Sequence, residues 1–132
     1  MRKTMSDLHT RAKGVIGEDV ACKYLIGKGF KLEKRNYQKA WGEIDIIALK
    51  DNTIHFFEVK SVTADFSAYN NNHRPEENVH NLKVSHIRRM VKTYLEESKR
   101  GMEADFQFHV LCVYMDMNKR VARIRLLENL II

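Results

Sequence analysis

Residues 42–60 decide the fold: Gly42-Glu43-Ile44-Asp45-Ile46-Ile47-Ala48-Leu49, then Lys50-Asp51-Asn52, then Thr53-Ile54-His55-Phe56-Phe57-Glu58-Val59-Lys60. Both flanks are rich in β-branched and aromatic residues, and the middle three supply turn chemistry, so the stretch reads as a β-hairpin. Side chains alternate along a strand. Glu43, Asp45, Ile47 and Leu49 therefore share one face of the first strand, and Ile54, Phe56, Glu58 and Lys60 share one face of the second. With Lys50 opposite Thr53, Asp45 falls against Glu58 and Glu43 against Lys60.

Directly opposed side chains hold their Cβ atoms about 4.5–5.5 Å apart, and two full charges at that distance repel by roughly 3 kcal/mol at an effective dielectric near 20. Either one carboxyl keeps its proton or a cation lies between them. Oxygen ligands of this kind suit Mg²⁺ or Mn²⁺. Lys60, two residues beyond Glu58, is placed to orient or deprotonate a water, or to stabilise charge developing on a phosphate. The same residues also suit a solvated surface ladder in which Lys60 pairs with Glu43 and Glu58 while Asp45 faces water. Ile47, Leu49, Ile54 and Phe56 weigh against that ladder, because they mark one end of the face as covered.

Outward from the hairpin, Ser6 to Gly27 carries apolar side chains nearly all round a helical wheel, which predicts a largely covered helix. Phe30 to Tyr37 reads as a strand. Ser61 to Pro75 is polar and reads as a loop. Pro75-Glu76-Glu77 is a helix start, and Val79, Leu82, Ile87, Met90, Val91, Tyr94 and Leu95 recur at helical spacing to about Ser98. Phe106–Met115 and Val121–Leu126 read as two strands joined by a turn at 116–119. Glu18 has Gly14, Ala21, Cys22 and Leu25 around it on the wheel, so it is either a partly buried acid seeking a partner or an exposed helix glutamate. Lys83 falls on the stripe of Val79, Ile87, Met90 and Tyr94 and is expected to border the acidic site or to snorkel into water. Arg88, Arg89 and Lys92 belong to the outer face of that helix, as phosphate contacts or as solubilising charge.

The 132 residues are 44% hydrophobic and 30% charged with a single proline, values that suit one compact domain over 1–132. No stretch approaches the roughly 20 apolar residues that cross a bilayer, and the polar start lacks the centre of a signal peptide. A cytoplasmic protein that does not enter membranes is expected. Cys22 and Cys112 lie far apart among apolar neighbours and read as buried free thiols. His80 and His86, six residues apart on one helix, do not share a face, so zinc is not expected. Lysine and arginine number 23 against 17 acids, a formal charge of +6, which favours an anionic partner such as nucleic acid.

Several blocks together resemble the bacterial YraN-like family, of the PD-(D/E)xK restriction-endonuclease-like, Holliday-junction-resolvase-like group. They are Gly14-x-x-Gly17-Glu18-x-x-Ala21-x-x-Tyr24-Leu25, Asn36-Tyr37, Gly42-Glu43-Ile44-Asp45-Ile46-Ile47-Ala48, Glu58-Val59-Lys60 and Lys83-x-x-x-Ile87-x-x-x-Val91-x-x-Tyr94-Leu95. The resemblance spans about residues 11–115. It implies a restriction-endonuclease-like α/β domain with a mixed central sheet flanked by helices, which suits the order read above of helix, three strands, helix, two strands. It implies a metal-dependent endonuclease acting on DNA, branched DNA included. Asp45 and Glu58 would hold Mg²⁺ or Mn²⁺, Lys60 would assist the water, Glu18 would be an outer ligand or orienter, and Glu43 an accessory. From the helix reading above, Lys83, Arg88, Arg89 and Lys92 are the candidate nucleic-acid contacts, and a homodimer is left open. Val62 stands where the family usually has an arginine, and Gln107-Phe108-His109 where it has Arg-Phe-Asp. The rival readings are a nucleic-acid-binding protein that does not cleave and an assembly factor that recruits another protein.

Overall fold

A computed structural model describes residues 5–66 and 82–132, with side chains from residue 14 onward. Its elements are α1 (Met5–Gly27), β1 (Lys31–Lys39), β2 (Gly42–Lys50), β3 (Thr53–Thr63), α2 (Val84–Glu97), β4 (Phe106–Asp116) and β5 (Val121–Leu127). The five strands form one sheet in sequence order, β1-β2-β3-β4-β5. β3 and β4 run parallel; every other neighbour is antiparallel. This is the mixed α/β architecture and element order expected from the sequence.

The hairpin closes in the expected register, with Lys50 opposite Thr53, Leu49 opposite Ile54 and Ile47 opposite Phe56. Asp51 and Asn52 take φ values of 52° and 61°, the left-handed pair that a two-residue turn needs to match strand twist. Among the described residues, each face of the sheet carries one helix. Ile47, Ile54, Phe56, Phe108, Val110 and Cys112 bury against Ile87, Met90, Val91, Tyr94 and Leu95 of α2. Ile46, Ala48, Phe57, Leu111, Val113 and Met115 bury against Ala21, Cys22 and Leu25 of α1. Residues adjacent in β3 and β4 thus serve opposite layers, which is why those strands read as unbroken apolar runs.

Three expectations are corrected. The first helix is not largely covered: Val15, Ile16 and Ile26 are 50%, 39% and 58% exposed, since a helix lying on one sheet face can bury only one stripe. β3 continues to Thr63, so Ser61-Val62-Thr63 are strand rather than loop; their parallel pairing with Val113, Tyr114 and Met115 holds them extended. Of the second helix, the proposed start at Pro75 and the residues Val79 and His80 lie outside the described residues. Among those described, the helix begins at Val84, with Lys83 as an extended N-cap.

Candidate active site

β2 and β3 stop pairing at Ile46 and Phe57, one rung short of Asp45 and Glu58. The expected rung is replaced by a side-chain contact, in which Val59 N–H donates to Asp45 Oδ2 at 2.7 Å. The cause lies one strand further out. In β1, Arg35 reaches α1, with 2.6 Å to Asp19 and 3.6 Å to Glu18, whereas Tyr37 packs edge-on against Tyr94 of α2. In β2, Ile44 packs in the α2 layer and Ile46 in the α1 layer. Residues two apart should share a face, so both strands exchange faces at the level of Asn36 and Asp45. Asn36 has φ 54°, a left-handed conformation that asparagine adopts more readily than most residues. The inversion interrupts the alternation that would have put Asp45 simply beside Ile47 and Leu49. Its carboxylate enters the gap between β2 and β3 instead.

There it meets Glu58. Asp45 is 6% exposed, Glu58 is partly buried, and the two carboxyl groups lie within hydrogen-bonding reach. Burial is the main reason both hold their protons more tightly than ordinary carboxyls. Asp45 is pushed up further by Glu18 and Glu43, against the pull of the Val59 N–H. Glu58 is pushed up by Asp45 and relieved by Lys60. Lys60 Nζ lies 3.7 Å from Glu58 Oε1, and Glu58 and Lys60 share the sheet face on which their β4 partners Val110 and Cys112 pack. The structure thus brings Asp45, Glu58 and Lys60 together, with Glu18 close enough to act on Asp45 through its charge.

Glu18 is the partly buried acid of the two readings offered. Arg35 flanks it, and the Asn36 amide, with its nitrogen turned inward, donates to its two oxygens at 3.2 and 3.3 Å. Helix α1 can sit this close because residue 17 is glycine: a Cβ there would lie 2.6 Å from Ser61 Oγ. Glu43 is exposed and accepts from Gln38 Nε2 at 2.8 Å, so it does not face Lys60 as the hairpin geometry suggested. Lys83 is also exposed and precedes the helix, which removes it from the apolar stripe. Arg88, Arg89 and Lys92 are on the outer face of α2 as expected. Arg89 lies over the Trp41 ring at 4.6 Å and Lys92 is 4.0 Å from Glu96.

The donor set fits a hard cation. Among the described residues no three His, Cys, Asp and Glu side chains close on one point, so the protein offers two carboxylates and not a cage. Mg²⁺ is commonly held in that way, keeping waters and taking the rest of its shell from substrate phosphates.

One buried polar pair escaped the sequence reading. His55 Nδ1 and His109 Nε2 are 2.8 Å apart in stacked rings, and Asn129 N–H donates to His109 Nδ1 at 2.9 Å. Since His109 Nδ1 accepts, its Nε2 carries the hydrogen and donates to His55 Nδ1, while His55 also bonds the backbone of Lys50. Burial lowers the proton affinity of both, His109 to about 4. The two residues are 54 apart in sequence, and their only sequence signal was a histidine in each of two apolar strands.

Residues 17–113 match the uncharacterised protein family UPF0102. The chain belongs to this family. A UPF0102 protein of Campylobacter jejuni subsp. doylei is 38% identical over 104 residues, covering 79% of this chain and 85% of its own. One from Campylobacter lari is 38% identical over 118 residues, covering 89% and 91%. One from Helicobacter hepaticus is 49% identical over 63 residues, covering 48% and 57%. The YraN-like resemblance read over about residues 11–115 is thereby upheld as a family assignment. In this UPF0102 protein the matched span contains Glu18, Asn36, Asp45, Glu58 and Lys60. No helix among the described residues is long and apolar enough to cross a membrane.

Proposed function

We propose that this UPF0102 protein is a divalent-metal-dependent endonuclease that hydrolyses phosphodiester bonds in DNA. The observation that supports it is the Asp45–Glu58 pair: two desolvated carboxyl groups in contact, beside an ammonium, at a gap in the sheet. A fold gains nothing by burying two like charges together, and perturbed acids of this kind cluster at functional sites. Asp45 and Glu58 would hold Mg²⁺ or Mn²⁺, which when bound supplies Lewis acidity and lowers the pKa of water.

The protein's own groups divide the remaining work. Asp45 is fixed by the Val59 N–H and so presents its other oxygen in a set direction. Glu58 would release its proton to solvent on binding a cation, and Lys60 would keep that carboxylate oriented and face the charge that grows on a phosphoryl oxygen. Glu18, steadied by Arg35 and Asn36, is an outer orienter. The site lies toward the C-terminal half of two parallel strands, β3 and β4, where open α/β sheets tend to bind ligands. Two buried cysteines, neither in a disulfide, suit a reducing compartment, and we place the protein in the cytoplasm.

The test is incubation with linear duplex, single-stranded and four-way-junction DNA in Mg²⁺, Mn²⁺ or chelator. Cleavage that needs the ion and disappears in Asp45→Asn supports the assignment. Metal-independent binding without turnover would make the protein a binder, and no affinity for any of the three would point to a protein partner.

A further inference from the structure

The stretch Met117-Asn118-Lys119-Arg120-Val121-Ala122-Arg123-Ile124-Arg125-Leu126-Leu127 holds four basic residues and no acid. Its strand, β5, is an edge of the sheet. Ile124 and Leu126 pack into the α1 layer and Leu127 into the α2 layer, so alternation sends Arg123 and Arg125 to the α2 side, where both are exposed.

Register then places them relative to the acid pair. Lys60 stands beside Cys112, and Cys112 beside Arg125; Val62 stands beside Tyr114, and Tyr114 beside Arg123. Glu58 begins the same series beside Val110 and Leu127. At about 4.8 Å between strands, Arg125 lies roughly 10 Å across the sheet from Lys60, on the same face. Arg123 lies one row further along, its guanidinium stacked over Phe66 at 4.2 Å. The nearby carboxylate of Asp116 accepts the backbone N–H groups of Phe66, Asn118 and Lys119, so it serves the turn.

The basic group on α2 compares poorly as a route to the site. Ile87, Met90, Val91, Tyr94 and Leu95 form its inner stripe, so a phosphate on Arg88 or Arg89 would have the helix between itself and the sheet. Lys92, on the same outer face, is 4.0 Å from Glu96.

We propose that Arg123 and Arg125, continuing the row of Lys60, form a phosphate-binding track along which a nucleic-acid backbone reaches the Asp45–Glu58 pair. The choice of partner rests on the nucleic-acid reading above. Arginine suits the task because its planar fork binds phosphate through two N–H groups and stays charged.

The experiment is fluorescence anisotropy with labelled single-stranded, duplex and four-way-junction oligonucleotides in chelator, from 50 to 300 mM salt. Arg123→Ala/Arg125→Ala is expected to weaken binding at least tenfold and to flatten the salt slope by about one to two, at roughly 0.9 for each phosphate left without its arginine. Arg123→Lys/Arg125→Lys should recover most of the slope, and Arg88→Ala/Arg89→Ala should stay within twofold of wild type. The track is overturned if the β5 alanine pair binds like wild type, if the α2 pair takes the loss, or if wild type binds none of the three. Binding that depends on Arg123 and Arg125 without Mn²⁺-dependent cleavage leaves the track standing and removes the nuclease assignment alone.

Discussion

The backbone N–H of Val59 donates to a side-chain oxygen of Asp45, 14 residues earlier in the chain, at 2.7 Å. A carboxylate thereby stands in for a main-chain acceptor at the point where two strands part. Asp45 is thus both a structural partner of β3 and half of a repelling pair, and the two roles respond differently to substitution.

Asp45→Asn keeps an oxygen for the Val59 N–H and removes one charge from the pair. The variant is expected to melt within about 1 kcal/mol of wild type, or above it, near pH 8, while losing the rise in melting temperature that Mn²⁺ gives wild type. Thermal melts of both proteins with and without Mn²⁺ read this directly. A lower melting point together with no metal effect in wild type would leave Asp45 purely structural.

Glu58 is held up to about 8 and Asp45 to about 6, so the folded protein binds more protons here than the unfolded chain. Stability from this pair is fully present at acid pH below the ordinary carboxyl range and is lost as pH rises through these values. Urea titrations of metal-free protein should show a decline of roughly 2–4 kcal/mol from pH 5 to pH 9, and Glu58→Gln should flatten most of it. Saturating Mn²⁺ should flatten it also. A parallel decline in Glu58→Gln would assign the slope to other groups.

The His55–His109 pair has the opposite sign. Both imidazoles have lowered proton affinity, so their contribution is complete above about pH 6.5 and is lost as pH falls toward 4. His109→Gln is expected to cost about 1–3 kcal/mol at pH 7 by breaking the bonds to His55 and Asn129, and to lose less stability than wild type between pH 6.5 and 4. Equal acid sensitivity in the two proteins would show that His109 takes up a proton as readily in the folded protein as in the unfolded chain.

Asn36 tests the inversion of the β1–β2 ribbon. Asn36→Gly can keep the left-handed backbone and should fold normally, whereas Asn36→Val should cost about 1–3 kcal/mol. Hydrogen exchange at the Val59 amide reports the geometry: protection should survive in the glycine variant and fall in the valine variant. Equal protection in both would mean that Asp45 enters the gap for another reason.

The hairpin, its register and the meeting of Asp45 with Glu58 were legible in residues 42–60, because period-2 patterning and a two-residue turn fix pairing locally. The route by which the acids meet was not. A single left-handed residue in β1, Asn36, switches the faces of two strands, and periodicity carries no sign of it. Lys83 was misplaced because the apolar spacing from Val79 to Tyr94 continues past the point where the helix begins. Val15, Ile16 and Ile26 looked buried because hydrophobicity says nothing of what lies opposite. His55 with His109, and Lys60 with Arg125, depend on strand pairings between distant segments.

The pairing order of the strands also bears on how the chain folds. The acid pair belongs to a hairpin, which forms on the scale of microseconds, whereas β3 can join β4 only after a long crossover has closed, a slower kind of event. Carboxylate repulsion is therefore met early, before the sheet that must tolerate it exists. A proton or a divalent ion that quiets the repulsion at that stage should speed refolding, as well as hold the finished protein together.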